Sequence, residues 1–412
     1  MSALLARLGR AARRAASAAG GAWLAGGAWL AGGAWLAGCA WNPAVAPSAR
    51  GPHDLRGGEE RLTRNPPSAK AFRPAWRADL GARGPFAENH TFIGGVALHA
   101  TRPLAAVVGY DGRLQVRHKE SGELLWEEEC TSPGSGAPVF DGDSLLVPTG
   151  DGRLSSYSVT RRAFEWRRQL SGLTRAPLTL DADRLFVTDG TNTLYALSRR
   201  TGDVLWQRKR EAPRDFSLHG EARPLAWGGA VFMGFSDGVL AAFDATTGAP
   251  LWERDLAPQR EQFQDVDADP VVVGGTLIAA SAASGLYGLD PQTGAERWFH
   301  PIAGVITLSE HEGDLLVGLQ HGELGRFDVQ RKALAWRVRF GTDGAPSRAL
   351  IFPRGLAVSL SRGGLYVLDA RTGALRDQLS AGSGVLAPLA LSGEGWLYAS
   401  SLSGFLYAFA PR

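Results

Sequence analysis

Cysteine is nearly missing from this chain: Cys39 and Cys130 are the only two in 412 residues. A fold stapled by several disulfides is therefore excluded, and stability has to come from packing. An excess of one charge is missing too. The formal net charge is +3, and four arginines (Arg7, Arg10, Arg13, Arg14) with no acid fall within residues 1–38, so the remainder carries 3 − 4 = −1. Short basic clusters such as Arg161-Arg162, Arg167-Arg168 and Arg208-Lys209-Arg210 stand beside acidic ones such as Glu127-Glu128-Glu129. That mixture suits solvated strand edges that resist aggregation, and no nucleic-acid surface is expected. The eight histidines (His53, His90, His99, His118, His219, His300, His311, His321) are scattered without close pairs at ligand spacing, so no metal site is expected.

Repetition dominates the rest. Gly238 to Trp252 reads G-V-L-A-A-F-D-A-T-T-G-A-P-L-W. Val239, Ala241 and Phe243 alternate as a half-buried strand does, and Asp244 to Gly248 supplies turn chemistry: a carboxylate, two threonines and a glycine. Leu251-Trp252 then runs back into Glu253-Arg254-Asp255, an anchored but wet outer strand. Leu240 has counterparts at Leu114, Leu154, Leu194, Leu286, Leu324, Leu365 and Leu406, about 40 residues apart. Ahead of each hairpin lie two more apolar runs, such as Pro270 to Val273 and Thr276 to Ala280. Four strands per repeat in eight units predict an all-β, eight-bladed β-propeller. The last unit ends too early for its outer strand, whereas Phe72 to Leu80, around Trp76, resembles Ala249 to Leu256. The N-terminal segment is therefore expected to complete the last blade and close the ring, giving a propeller over residues 72–412.

The first 38 residues differ in kind. The arginines precede an apolar, acid-free run from Ala15 to Gly38 in which G-G-A-W-L-A occurs three times, as in an export signal. It ends in Leu36-Ala37-Gly38-Cys39, which resembles a bacterial lipobox. Lipidation of Cys39 as the mature N-terminus is expected, the alternative being an uncleaved anchor. Residues 39–71, rich in proline, glycine and charge, then form a flexible tether.

Two catalytic spellings dissolve in the repeat. Gly234-Phe235-Ser236-Asp237-Gly238 fits a nucleophile elbow, but it joins two strands, and Gly109-Tyr110-Asp111-Gly112 fills the same slot without a serine. Gly142-Asp143-Ser144-Leu145 likewise matches Ala182-Asp183-Arg184-Leu185. Asp244, Asp290, Asp328 and Asp369 are turn residues, one per blade. No catalytic residue is expected.

The A-x-D-x-x-T-G-x-x-x-W pattern at Ala242 to Trp252, with relatives at Ala196 to Trp206 and Gly288 to Trp298, resembles the repeat of pyrroloquinoline-quinone-type propellers. Members of that group with enzymatic activity carry an adjacent cysteine pair over the cofactor, which this chain lacks, so the resemblance implies no cofactor here. Signal, tether and eight repeats together resemble the BamB family, lipoproteins of the machine that inserts β-barrels into the bacterial outer membrane. Two segments sharpen it. Phe216-Ser217-Leu218-His219-Gly220-Glu221 is similar to the family's S-L-x-L-R-G-E, and Asp265-Val266-Asp267-Ala268-Asp269-Pro270 to its D-V-D-T-x-P. Both lie in the two longer repeats, spaced by 46 residues.

The resemblance implies a non-enzymatic scaffold on the periplasmic face of the outer membrane, monomeric within its complex. It would bind the POTRA domains of BamA, other components of the assembly complex and unfolded barrel clients. Phe216, Leu218, His219, Asp265 and Asp267 would make the BamA contact, with the apolar pair as anchors and the aspartates orienting a basic partner. His219 stands where the family has arginine, and it lacks the bidentate fork. The alternative for these residues is structural: Phe216 and Leu218 as blade core, and the aspartates as turn caps. For the whole chain the alternative is a quinoprotein-like enzyme or a small-ligand sensor using the central funnel, marked by convergent acids and arginines over a flat aromatic floor.

Overall fold

The structure, a computed structural model, describes residues 70–81, 94–211, 222–257, 265–341, 344–382 and 384–412. The signal segment, Cys39 and nearly all of the tether lie outside them, as do Phe216, Leu218 and His219.

The Gly238–Trp252 pattern folds as its alternation dictates. Val239–Asp244 pairs antiparallel with Pro250–Asp255 on one side and with Ala230–Gly234 on the other, and Leu225–Trp227 is the fourth, innermost strand. Ala230–Gly234 is buried throughout, while Pro250–Asp255 alternates exposed and half-buried, as an outer strand does. Among the described residues the same four-stranded antiparallel sheet occurs eight times, which is the predicted propeller. Because each sheet is buried on both faces, the core lies between neighbouring blades. Phe186, Leu194 and Trp206 of one blade pack on Val231, Met233 and Phe243 of the next.

A tryptophan on the outer strand fastens each of several blades to its neighbour. The Trp206 Nε1–H donates to the Ala245 carbonyl at 3.3 Å, and Trp166, Trp252 and Trp336 donate to Arg199, Pro291 and Ala370 at 3.2, 3.0 and 3.3 Å. The acceptor is in every case the turn of the following blade. Gly248 lets the indole lie flat on that turn: its φ is +66°, and a β-carbon there would sit 2.5 Å from Trp206 Cδ2. Where the second blade's turn has no glycine, Arg162 takes the left-handed conformation instead (φ +54°), and its guanidinium covers the Trp126 ring at 4.7 Å. A cation–π contact thus replaces the glycine seat.

The ring closes as expected. Phe72–Asp79 pairs antiparallel with Phe405–Pro411 and becomes the outer strand of the last blade, running from Phe72 opposite Pro411 to Asp79 opposite Phe405 with a one-residue bulge between Pro74 and Trp76. Trp76 repeats the fastening, donating to the Lys119 carbonyl of the first blade at 3.1 Å. Tyr398 Oη donates to the same carbonyl at 2.8 Å, and the buried Lys119 ammonium meets Glu394 at 2.7 Å. The Lys119 ammonium, ahead of the Ser392 hydroxyl, holds the Glu394 carboxyl down at about 2. The seventh blade has Arg376 where the others have tryptophan. Its anchor is Asp377, 1% exposed, whose Oδ2 accepts the N–H groups of Ala71 (2.9 Å) and Phe72 (3.2 Å).

Candidate functional site

The aspartate series does what turn chemistry asks. Asp244 Oδ1 accepts the N–H groups of Thr246 (3.0 Å) and Thr247 (2.7 Å) together with the Thr247 hydroxyl, and these bonds hold its carboxyl below the usual carboxylate range. Asp290, Asp328 and Asp369 accept N–H groups of their own turns in the same way. Each is occupied locally, and among the described residues no three histidines, cysteines or carboxylates gather at ligand distance. Ser236 sits in a strand-to-strand turn, its N–H donating to Asn192 Oδ1 at 3.3 Å. Ser144 Oγ donates to Glu165 at 2.6 Å. The same Glu165 oxygen also accepts the Ser156 hydroxyl at 2.6 Å, and its partner oxygen pairs with the Arg161 guanidinium, so the carboxylate is engaged in a local structural set.

Cys130 is half-buried, and burial pushes its thiol up to about 11. At pH 8 the folded chain therefore carries about one hundredth of the thiolate of an exposed cysteine. Alkylation by iodoacetamide in the folded chain should run about a hundredfold slower than for an exposed cysteine, measurable by mass spectrometry with a urea-unfolded control.

The Asp265–Pro270 segment leads into the innermost strand Val271–Val273 of the fifth blade. It does not present its aspartates equally. Asp265, expected to face a partner, is 1% exposed. Its carbonyl accepts the Ala282 N–H at 3.4 Å, and Val266 N–H reaches the Phe235 carbonyl at 3.3 Å, so the backbone here is drawn into the interblade core. Asp265 therefore cannot orient a partner directly. Asp267 differs from it: it is half-buried and lines a cavity on the propeller axis.

That cavity holds about 320 Å³ and is lined by segments entering the innermost strands of six blades, which can meet only at the axis. Arg175, Arg223 and Arg348 converge there with Asp267 and Asp269. Asp269 bridges two of the arginines: Oδ1 accepts the Arg223 backbone N–H at 2.7 Å, and Oδ2 accepts Arg348 Nη1 at 3.1 Å with Arg223 Nε 3.8 Å away. The described lining otherwise consists of aliphatic, proline and small polar residues, with no aromatic ring. The convergent charges that would mark a cofactor funnel are present; the flat aromatic floor is not among these residues.

No individual residue had singled out Arg223, Asp269 and Arg348, yet a signal existed. They occupy one repeat position, two residues before the innermost strand, where other units carry Ala137, Pro177 and Pro388. A slot that is small in some blades and charged in others marks a place where the ring is not packing against itself.

Closed ring, tryptophan-to-turn fastening and Asp-Thr-Gly turns define a repeat propeller of the pyrroloquinoline-quinone-like type. The family model described as outer membrane protein assembly factor BamB matches residues 72–164 and 111–338, well over half of the sequence. The chain belongs to the family of outer membrane protein assembly factor BamB. Among curated relatives of that name, the one from Bordetella pertussis is 23% identical over 172 residues, 42% of each chain. The one from Shewanella oneidensis is 28% identical over 107 residues, 23% of this chain and 27% of its own. The aligned stretches thus span less than half the length of these relatives. The crystal structure of BamB from Moraxella catarrhalis superposes with a TM-score of 0.70 at 22% identity, covering 82% of this chain and 99% of that one. A quinohemoprotein alcohol dehydrogenase, ADHIIG from Pseudomonas putida HK5, reaches 0.64 at 12% identity over 83% of this chain and 76% of its own, a likeness of fold alone.

Proposed function

We propose that this protein is a non-enzymatic scaffold of the outer-membrane β-barrel assembly machine, held on the periplasmic face by a lipid on Cys39 and docked on the POTRA domains of BamA. The observation that carries this reading is the family match, which runs through both rim segments, Phe216–Glu221 and Asp265–Pro270. The geometry refines their roles. In this reading Asp267 is the carboxylate that meets a basic partner, and Phe216, Leu218 and His219, outside the described residues, supply the rest of the contact. Buried Asp265 is a positioning residue that fixes the segment's course. The outer strands, which alternate exposed and half-buried residues as at Leu124–Glu129 and Pro250–Asp255, offer edges on which unfolded barrel strands can pair transiently. The cavity has the convergent charges of a quinoprotein-like funnel, but its described lining has no aromatic floor and the sequence has no adjacent cysteine pair, which favours the scaffold.

The test is co-purification from solubilised envelope. Asp267→Ala should reduce recovery of BamA by about tenfold or more while lowering the unfolding midpoint less than Asp265→Ala does. Asp265→Ala should lower the midpoint, at a cost of about 1–3 kcal/mol for the disturbed buried contacts. Equal recovery of BamA with parent and Asp267→Ala would remove the rim from the docking surface, and absence of BamA from both would overturn the scaffold reading.

A further inference from the structure

The axial cavity has the makings of a binding site in its own right. Three guanidiniums (Arg175, Arg223, Arg348) and two carboxylates (Asp267, Asp269) face it, a formal excess of one positive charge, 3 − 2 = +1. Asp269 is shared between Arg223 and Arg348 and pins both at its two oxygens. Each guanidinium has more donors than one shared carboxylate can accept. Arg223 Nε is shut off from solvent and makes no hydrogen bond, its nearest carboxylate oxygen lying 3.8 Å away. Burial, together with the neighbouring Arg348 charge, pushes the Arg223 guanidinium down against the pull of Asp269. An anion entering here would relieve that repulsion and take up the spare donors. Aliphatic side chains complete the lining: Ile306, Val385, Leu386 and Pro388 line the same cavity, and Leu386 is 45% exposed, unusual for a large apolar side chain.

From this pairing of a guanidinium cluster with an aliphatic wall in about 320 Å³, we propose that the propeller axis binds a small monocarboxylate with an apolar body. The carboxylate meets Arg348 and Arg223 in forked, charge-assisted hydrogen bonds, and the apolar body lies on Leu386 and Ile306. A guanidinium fork matches a planar carboxylate, and the single excess charge fits a monoanion better than a phosphate dianion. The site does not depend on the scaffold reading, although it shares the Asp267–Asp269 segment with the proposed rim.

The experiment is isothermal titration of the full chain with benzoate, benzylamine and sulfate. Benzoate should bind at least about tenfold more tightly than either of the others, and Arg348→Gln should weaken it by about tenfold or more, the usual worth of a charge-assisted contact. Leu386→Asn serves as the second variant, expected to weaken benzoate several-fold through the apolar wall. No heat with benzoate up to millimolar concentration would overturn the proposal. Sulfate binding as tightly as benzoate would overturn the carboxylate assignment, and benzoate affinity unchanged in both variants would place the binding elsewhere and overturn the site.

Discussion

Asp377→Ala should loosen the closure of the ring, with a loss of about 2–6 kcal/mol in the stability of the last blade. The carboxylate is 1% exposed, and one oxygen accepts two N–H groups, those of Ala71 and Phe72, which stand 306 and 305 residues away along the chain. Removing it leaves both donors without their acceptor at a buried strand entrance, and each such group costs about 1–3 kcal/mol. The seventh blade has no tryptophan to share the load, because Arg376 occupies that position and pairs with Asp369 instead. The Arg354 guanidinium bond to the Arg412 carbonyl and the Arg412 N–H bond to the Ala71 carbonyl (3.0 Å) remain, so the strand should fray rather than leave. Hydrogen exchange is the direct measurement: amides of Phe72–Asp79 should exchange at least about tenfold faster in the variant, and those of Val239–Asp244 should not change. Asp377→Asn, which keeps one acceptor, should fall between. Unchanged protection of Phe72–Asp79 would mean that pairing with Phe405–Pro411 alone closes the ring.

The contrast between what repeats and what does not explains how far the sequence could be read. A period of about 40 residues with a leucine, an Asp-Thr-Gly turn and a tryptophan is enough to fix blade number, strand order and the origin of the closing strand, since every unit restates the same instruction. Features that join different units are stated once, and no local pattern announces them. Asp377 looks like any charged residue on an outer strand until Ala71 arrives beside it. Arg223, Asp269 and Arg348 sit in one repeat slot, but only closure of the ring turns equal offsets along the chain into convergence at one axis. Asp265 shows the complementary case: the family resemblance assigns it to the contact together with Asp267, whereas Val266 and Asp265 are both buried, with backbone bonds to Phe235 and Ala282.

Gly248→Ala tests the fastening between blades, and its expected cost is about 2–5 kcal/mol, the sum of two separable effects. The first is conformational: φ at Gly248 is +66°, and a side chain in the left-handed region costs about 1–2 kcal/mol. The second is steric. The new methyl would lie 2.5 Å from Trp206 Cδ2, and the indole cannot retreat without giving up its bond to the Ala245 carbonyl and its contacts with Phe186 and Phe243. Overpacking of this kind costs about 1–3 kcal/mol. Gly275→Ala supplies the control, because its φ is +74° and nothing lies within 4 Å of the added carbon, so it should show the conformational cost alone. The two variants should therefore differ by the steric part, measured as a shift in urea midpoint. Combining Gly248→Ala with Trp206→Leu should be less destabilising than the sum of the single changes, since the smaller side chain has no ring to collide with. Strict additivity would show that the turn glycine is selected for its backbone and not for the tryptophan that lies on it, and the recurring Trp-to-turn contact would then follow blade stacking rather than hold it.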